Sequence, residues 1–151
     1  MSVPIAYLDN SAMVKRYIKE PGSDLVIDLY TRSYSGECVL SYSLWNIGEI
    51  LTVLDKAGNI GRLDPKGFSD ARRRFIGETR RMIKLRTAIA VPVRNKLLIE
   101  SWKLVEKYHI HVADALQIAT AKHVNASSFL TGDKRLHKVA TEEHLSSTCP
   151  P

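Results

Sequence analysis

Four acidic side chains in this sequence stand in settings that call for an explanation. Asp9 ends the apolar run that begins at Val3, and Asp133 follows SSFLTG. Glu49 lies inside NIGEILTVL, and Asp114 inside HVADALQIATA. A carboxylate in apolar surroundings is costly unless a cation or hydrogen-bond donors meet it. No Lys or Arg stands within four residues of Glu49 to act as that partner. The other three have simpler uses as well: Asp9 and Asp133 as helix N-caps, Asp114 as a complement to a helix dipole. If all four converge, a divalent cation offsets their repulsion most simply. All-oxygen ligation suits Mg²⁺ or Mn²⁺ in an octahedral shell that keeps several waters. Such an ion activates a bound water and neutralises a phosphate oxygen, which is the chemistry of phosphodiester hydrolysis.

The basic residues point the same way. Lys and Arg number 22 against 16 Asp and Glu, a formal charge of +6. The stretch RRRFIGETRRMIKLR carries Arg72, Arg73, Arg74, Arg80, Arg81, Lys84 and Arg86 against Glu78 alone, an excess as large as that of the whole chain. Charge concentrated on one helix favours a polyanionic partner, RNA or DNA before an acidic membrane. A solvated helix face is the plain alternative. Interleaved Phe75, Ile76, Met82, Ile83 and Leu85 predict that one side of this helix is packed.

Strand-like and helix-like segments alternate in the way needed to bring these residues together. Short apolar runs predict strands at 3–8, 38–40, 88–91 and 128–130, with an edge strand at 147–149. Between them the spacing predicts a helix through 12–18 capped by Asn10 or Ser11, one at 24–32, and one at 44–56 capped by Ser41 or Ser43. Asp64-Pro65 opens the basic helix; others follow from 93 or 94 to 108, at 112–124 and at 133–143. Strands separated by helices imply right-handed crossovers and an α/β class, a three-layer α/β/α fold with a mostly parallel central sheet of four to five strands. Sites in such sheets form at the carboxyl ends of strands, where Asp9 and Asp133 fall. A chain of 151 residues, 44% apolar and 25% charged, suits one domain over residues 1–151 and argues against disorder. No apolar run approaches the ~18 residues of a membrane span. The N-terminus lacks a basic region before its apolar stretch, and Cys38 and Cys149 have neither CxxC nor zinc spacing. These features predict free thiols and a cytoplasmic protein without a membrane partner.

In this order, YLDNSAMVKRY, GEIL, ADALQIATA and FLTGDKRL resemble the four acidic motifs of PIN-domain ribonucleases, most of all the VapC-type toxins of prokaryotic toxin–antitoxin pairs. The likeness runs from Val3 to the end of the chain. It implies a PIN-like fold with Asp9, Glu49, Asp114 and Asp133 as catalytic and metal-binding acids. Ser11 and Thr131 match small hydroxyl residues that support the ligands or touch phosphate. The resemblance further implies Mg²⁺- or Mn²⁺-dependent endonucleolytic cleavage of RNA, leaving 5′-phosphate and 3′-hydroxyl ends. It implies a homodimer and a small antitoxin whose tail covers the acidic cleft. Two departures stand out: Asn10 replaces a frequent Thr, and Lys134 and Arg135 follow Asp133 where some members carry another Asp. The ligand set is therefore thin at that end, which favours one ion over two, and Lys134 and Arg135 join Arg72, Arg73, Arg74, Arg80, Arg81 and Lys84 as candidate nucleic-acid contacts.

Rival readings make different demands. A catalytically idle RNA- or protein-binding module would keep the fold without needing the metal, and a housekeeping RNA-processing nuclease would keep the chemistry without the antitoxin. An aspartyl-phosphate enzyme needs a second acid beside Asp9 or an Asp after the third strand, and the sequence offers neither. No His pair has metal spacing, so His109, His111, His123, His137 and His144 read as surface residues. Tyr7, inside a predicted strand, reads as core, whereas Trp45 can equally stack on a base.

Overall fold

The computed structural model describes residues 2–150. Its sheet has five strands: β1 (Ile5–Leu8), β2 (Val39–Ser43), β3 (Ala88–Val91), β4 (Ser128–Leu130) and β5 (Ser147–Thr148). All neighbouring pairs are parallel, in the order β3-β2-β1-β4-β5. The helices are α1 (Asn10–Met13), α2 (Ser23–Tyr34), α3 (Leu44–Asn59), α4 (Pro65–Lys84), α5 (Asn95–Tyr108), α6 (Val112–His123) and α7 (Lys134–Glu142).

Alternate residues of each strand divide the core into two layers. Ala6, Leu8, Leu40, Tyr42, Ala88 and Leu130 pack with side chains from α1 to α4. Tyr7 and Phe129 point the other way, stacked with ring centroids 5.6 Å apart, into a cluster with α5, α6 and α7. Connections from β1 run outward to β2 and β3, whereas β4 and β5 lie on the opposite side. The switch point therefore falls between β1 and β4, where the Leu8–Leu130 register ends. A cleft opens outside the carboxyl ends of strands at such a point, and Asp9 is the next residue.

The sequence reading needs correction at several places. Of the three caps the sequence offers, Asp9, Asn10 and Ser11, it is Asp9 that caps α1, its Oδ1 accepting from Ala12 N at 2.9 Å. This helix is one turn long and continues as a 3-10 turn at Val14–Arg16 instead of running to Ile18. Strand β2 extends to Ser43 because Tyr42 is still buried in the sheet, so Ser41 lies inside the strand and only Ser43 caps α3. Arg86 lies beyond α4 with φ 63°, and Ile83 and Leu85 are exposed, leaving Ala71, Phe75, Thr79 and Met82 as the buried face. Glu143, which the sequence places in ordinary polar surroundings, is buried and held by Lys107, Lys122 and Tyr108. Burial alone would raise its pKa, but these donors outweigh it and lower it to about 2.

Helices α3 and α4 pack against each other across a short connection. Phe68 packs so closely on Gly58 that an added Cβ would meet its ring at 3.2 Å. Both cysteines are free, Cys38 buried. Among the described residues no helix is long and apolar enough to cross a membrane.

Candidate active site

Asp9 is 2% exposed at the end of β1. Its Oδ1 accepts from Ser11 Oγ at 2.7 Å as well as from Ala12 N, and its Oδ2 accepts from Thr131 Oγ1 at 2.6 Å. A carboxylate offers about four lone-pair directions, so three are taken and one on Oδ2 is left for a cation. Desolvation raises the Asp9 pKa to about 6, even though all three donors favour the ionised form, and Asp114 adds to the rise.

The loop after β4 is fastened to this carboxylate. Ser11 Oγ accepts from Gly132 N at 2.8 Å, and Thr131 Oγ1 accepts from Asp133 N at 3.0 Å. Ser11 and Thr131 thus tie the ends of β1 and β4 together, and neither is placed as a nucleophile. Gly132 is needed for this closeness, since an added Cβ would lie 3.1 Å from Lys15 Cε and 3.4 Å from Ser11. Asp133 is exposed and caps α7, its Oδ1 accepting from Arg135 N at 2.8 Å and Leu136 N at 3.2 Å. Capping uses Oδ1 and leaves Oδ2 without a hydrogen-bond donor among the described residues.

Glu49 and Asp114 complete the acidic group from the two layers. Burial first, then Asp9 and Asp114, push the Glu49 pKa up to about 7. Its Oε1 is buried with no hydrogen-bond partner. Asp114, in the first turn of α6, is half-buried; burial and then Asp133 raise its pKa, while His111 and Arg135 oppose the rise. His111 caps the same helix, its Nδ1 accepting from Ala113 N at 3.2 Å. The carboxylates therefore feel one another across three elements. Among the described residues, however, no three His, Cys, Asp or Glu side chains form a group that would hold a metal ion unaided. Mg²⁺ is usually held by one or two carboxylates, several waters and substrate phosphate. An orphaned buried oxygen on Glu49 and the spare lone pair on Asp9 suit that mode of binding.

Two buried amides not singled out from the sequence position this group. Asn46, one turn before Glu49, donates from Nδ2 to the Leu8 carbonyl at 3.2 Å and so docks α3 on the end of β1. Gln117, one turn after Asp114, accepts from the Tyr7 hydroxyl at 2.7 Å and docks α6 on the same strand. An amide inside an apolar helical stretch is the same signal that marked the acids, and it was there to be read in LWNIGEIL and ADALQIATA. Tyr7→Phe leaves the Gln117 oxygen buried without its donor. The variant should lose about 1–2 kcal/mol, or roughly 3–6 °C in Tm for a chain of this size. A Tm within a degree of the native protein would show that the bond does not hold α6.

The basic candidates are more scattered. Arg72, Arg73, Arg74, Arg80, Arg81 and Lys84 are all exposed, and at 100° per residue they fall within an arc of about 200° facing away from the buried side of α4. Arg135 donates to the His109 carbonyl at 2.6 Å, whereas Lys134 is exposed. Tyr7 is core, and Trp45 is 52% exposed one turn before Glu49.

The sequence pattern of the PIN domain matches residues 6–142. The chain belongs to the PIN domain family. No curated protein matches it significantly. Solved structures with the same fold include FitAcB from Neisseria gonorrhoeae, with TM-score 0.66 and 15% identity over 96% of this chain and 97% of that one. VapC20 from Mycobacterium tuberculosis, a sarcin–ricin loop cleaving toxin, has TM-score 0.64 and 14% identity over 96% and 99%. VapBC2 from Rickettsia felis, solved on a DNA fragment from its promoter, has TM-score 0.66 and 16% identity over 97% and 99%. At these identities the likeness is one of fold.

Proposed function

We propose that residues 1–151 are a single PIN-like domain acting as a metal-dependent endoribonuclease, the toxin of a VapBC-type pair. The observation that carries this reading is the mutually perturbed group of buried Asp9 with half-buried Glu49 and Asp114 at the switch point, and an unpartnered Glu49 oxygen. In the proposal Asp9, Glu49 and Asp114 hold Mg²⁺ or Mn²⁺, with Asp133 reaching the ion directly or through water. A bound ion would supply an activated water and neutralise a phosphate oxygen. Ser11 and Thr131 favour the ionised form of Asp9 by donating to both its oxygens. Lys134 and the exposed cations of α4 hold flanking phosphates. The toxin assignment, a homodimer, a small antitoxin partner and a cytoplasmic location rest on the family resemblance, with the VapC20 and VapBC2 folds in support.

Purified protein should cut cellular RNA into discrete fragments with Mn²⁺ and leave it intact with excess EDTA. Asp114→Asn should be inactive with Mn²⁺ present. Cleavage that persists in EDTA or in Asp114→Asn would overturn the metal role.

One observation favours a second reading, that of an idle RNA-binding module: no acidic trio is arranged to hold an ion unaided among the described residues. That reading expects RNA binding indifferent to chelator and to Asp114→Asn, with no cleavage in any lane.

A further inference from the structure

Away from the acids, the junction of the 3-10 turn at Val14–Arg16 with α4 contains a cavity of about 300 Å³. Arg16, Arg73, Arg74, Gly77, Glu78 and Arg81 line it, four guanidiniums against one carboxylate. That carboxylate is already committed. Glu78 accepts from Arg16 Nε and Nη2 at 2.9 Å each, from the Tyr17 hydroxyl at 3.0 Å and from the Tyr34 hydroxyl at 2.9 Å. Three of the guanidiniums also rest on tyrosine rings: Arg16 on Tyr30 at 5.0 Å, Arg74 on Tyr17 and Arg81 on Tyr34, both at 5.9 Å. Arg73 pairs with Asp70 at 2.6 Å, whereas Arg74 has no carboxylate partner among the described residues.

Such a cluster is charged, held in place and short of anions. Stacked guanidiniums lose little freedom on binding and present forked donors that match phosphate oxygens. Gly77 keeps the floor open, for a Cβ placed there meets nothing within 4 Å. A glycine inside a helix costs stability relative to other residues, and here its lack of a side chain leaves the cavity clear between Arg73, Arg74 and Arg81. Asp9 and Arg16 stand at the two ends of one short helical segment, about 10–12 Å apart along its axis. At about 3.4 Å per stacked nucleotide that is roughly three nucleotides.

We propose that this arginine pocket is a phosphate subsite for single-stranded RNA, about three nucleotides from the acids, with Arg74 and Arg16 as ligands. Glu78 is the positioning residue that holds Arg16 and the two tyrosines in place. The inference rests on the nuclease reading only for the identity of the polyanion. It is tested in EDTA, where no cleavage is required, so failure of one is distinguishable from failure of the other.

The test is binding of a fluorescent 12-nucleotide oligouridylate over a salt series in EDTA, with melting temperatures recorded for every variant. Arg74→Ala should bind about tenfold more weakly at low salt. Its log-affinity against log-salt slope should flatten by about 0.7, the value for one lost single-strand phosphate contact. Gly77→Leu fills the cavity without removing a charge, and it should weaken binding similarly with no loss in melting temperature. Arg32→Ala, an equal loss of charge on α2, should bind as the native protein does. Native-like binding by both Arg74→Ala and Gly77→Leu would overturn the subsite. So would inorganic phosphate raising the native melting temperature, but not theirs, while RNA binding stays unchanged, since that describes a free-ion site. Polyglutamate that displaces the RNA from the native protein, and binds Gly77→Leu less well, would assign the pocket to an acidic peptide and overturn the RNA assignment.

Discussion

Asp9→Asn is expected to abolish RNA cleavage while leaving the protein folded and more stable without metal. Asparagine is as good an N-cap as aspartate, so the bond from Ala12 N that starts α1 survives. The new amide can face Thr131, whose hydroxyl can turn to accept in place of donating. Asp9 has one lone pair left on Oδ2 once Ser11, Ala12 and Thr131 are counted, and Asn puts an N–H where that lone pair was. A metal ligand becomes a donor that repels the ion. Cleavage should fall about 10³-fold or more, matching the several kcal/mol that a ligated metal supplies to developing charge. Single-turnover cleavage beside a thermal melt checks both halves. Full activity would remove Asp9 from the ligands, and an unfolded variant would show that its capping role is the greater one.

The acids were legible in the sequence because each interrupts an apolar pattern, and pattern is what a single sequence displays. Asp9 after IAYL and Glu49 within NIGEILTVL are anomalies at short range. The alternation of elements was legible for the same reason, and β3 and β4 match the expected bounds. What was hidden lies in partners far apart along the chain. Tyr7 meets Gln117 across 110 residues, and Thr131 meets Asp9 across 122. Glu78 looked like one acid diluted among cations; its partner Arg16 is 62 residues away, so the sequence could not show that the basic run folds around it. Asp9, Asn10 and Ser11 all offered a cap in the sequence, and Asp9 is the one used, because a side chain at a strand end can serve both the cap and the site. Periodicity distinguishes faces of a helix and does not say which donor reaches which acceptor.

Stability without metal should fall as pH rises from about 4.5 to 7, and a divalent cation should restore it. The sign follows from the direction of the shifts. Asp9 moves from 3.8 to about 6 and Glu49 from 4.5 to about 7, so in that window the folded protein holds protons that the unfolded chain has released. Stability then decreases with rising pH, because the unfolded state binds fewer protons. Asp9 alone accounts for about 3 kcal/mol of that loss at neutral pH. Below pH 4.5 the slope reverses, since Glu143 sits near 2 and Glu78 below its ordinary range, and protonating them breaks their bonds to Lys and Arg. The metal-free protein should therefore melt highest near pH 4.5. Cation binding competes with protons at the same oxygens, so millimolar Mn²⁺ should raise the melting temperature strongly at pH 7.5 and little at pH 5. In Asp9→Asn the alkaline limb should flatten and the gain with Mn²⁺ should shrink, because one ligand and its buried charge are removed together. Melting curves from pH 4 to 8, with and without Mn²⁺, test every part of this. A native protein whose melting temperature rises steadily from pH 5 to 8 without metal would contradict the raised carboxyls. One that ignores Mn²⁺ at pH 7.5 would leave Glu49 with its buried oxygen unpaired and the acids without a ligand in common.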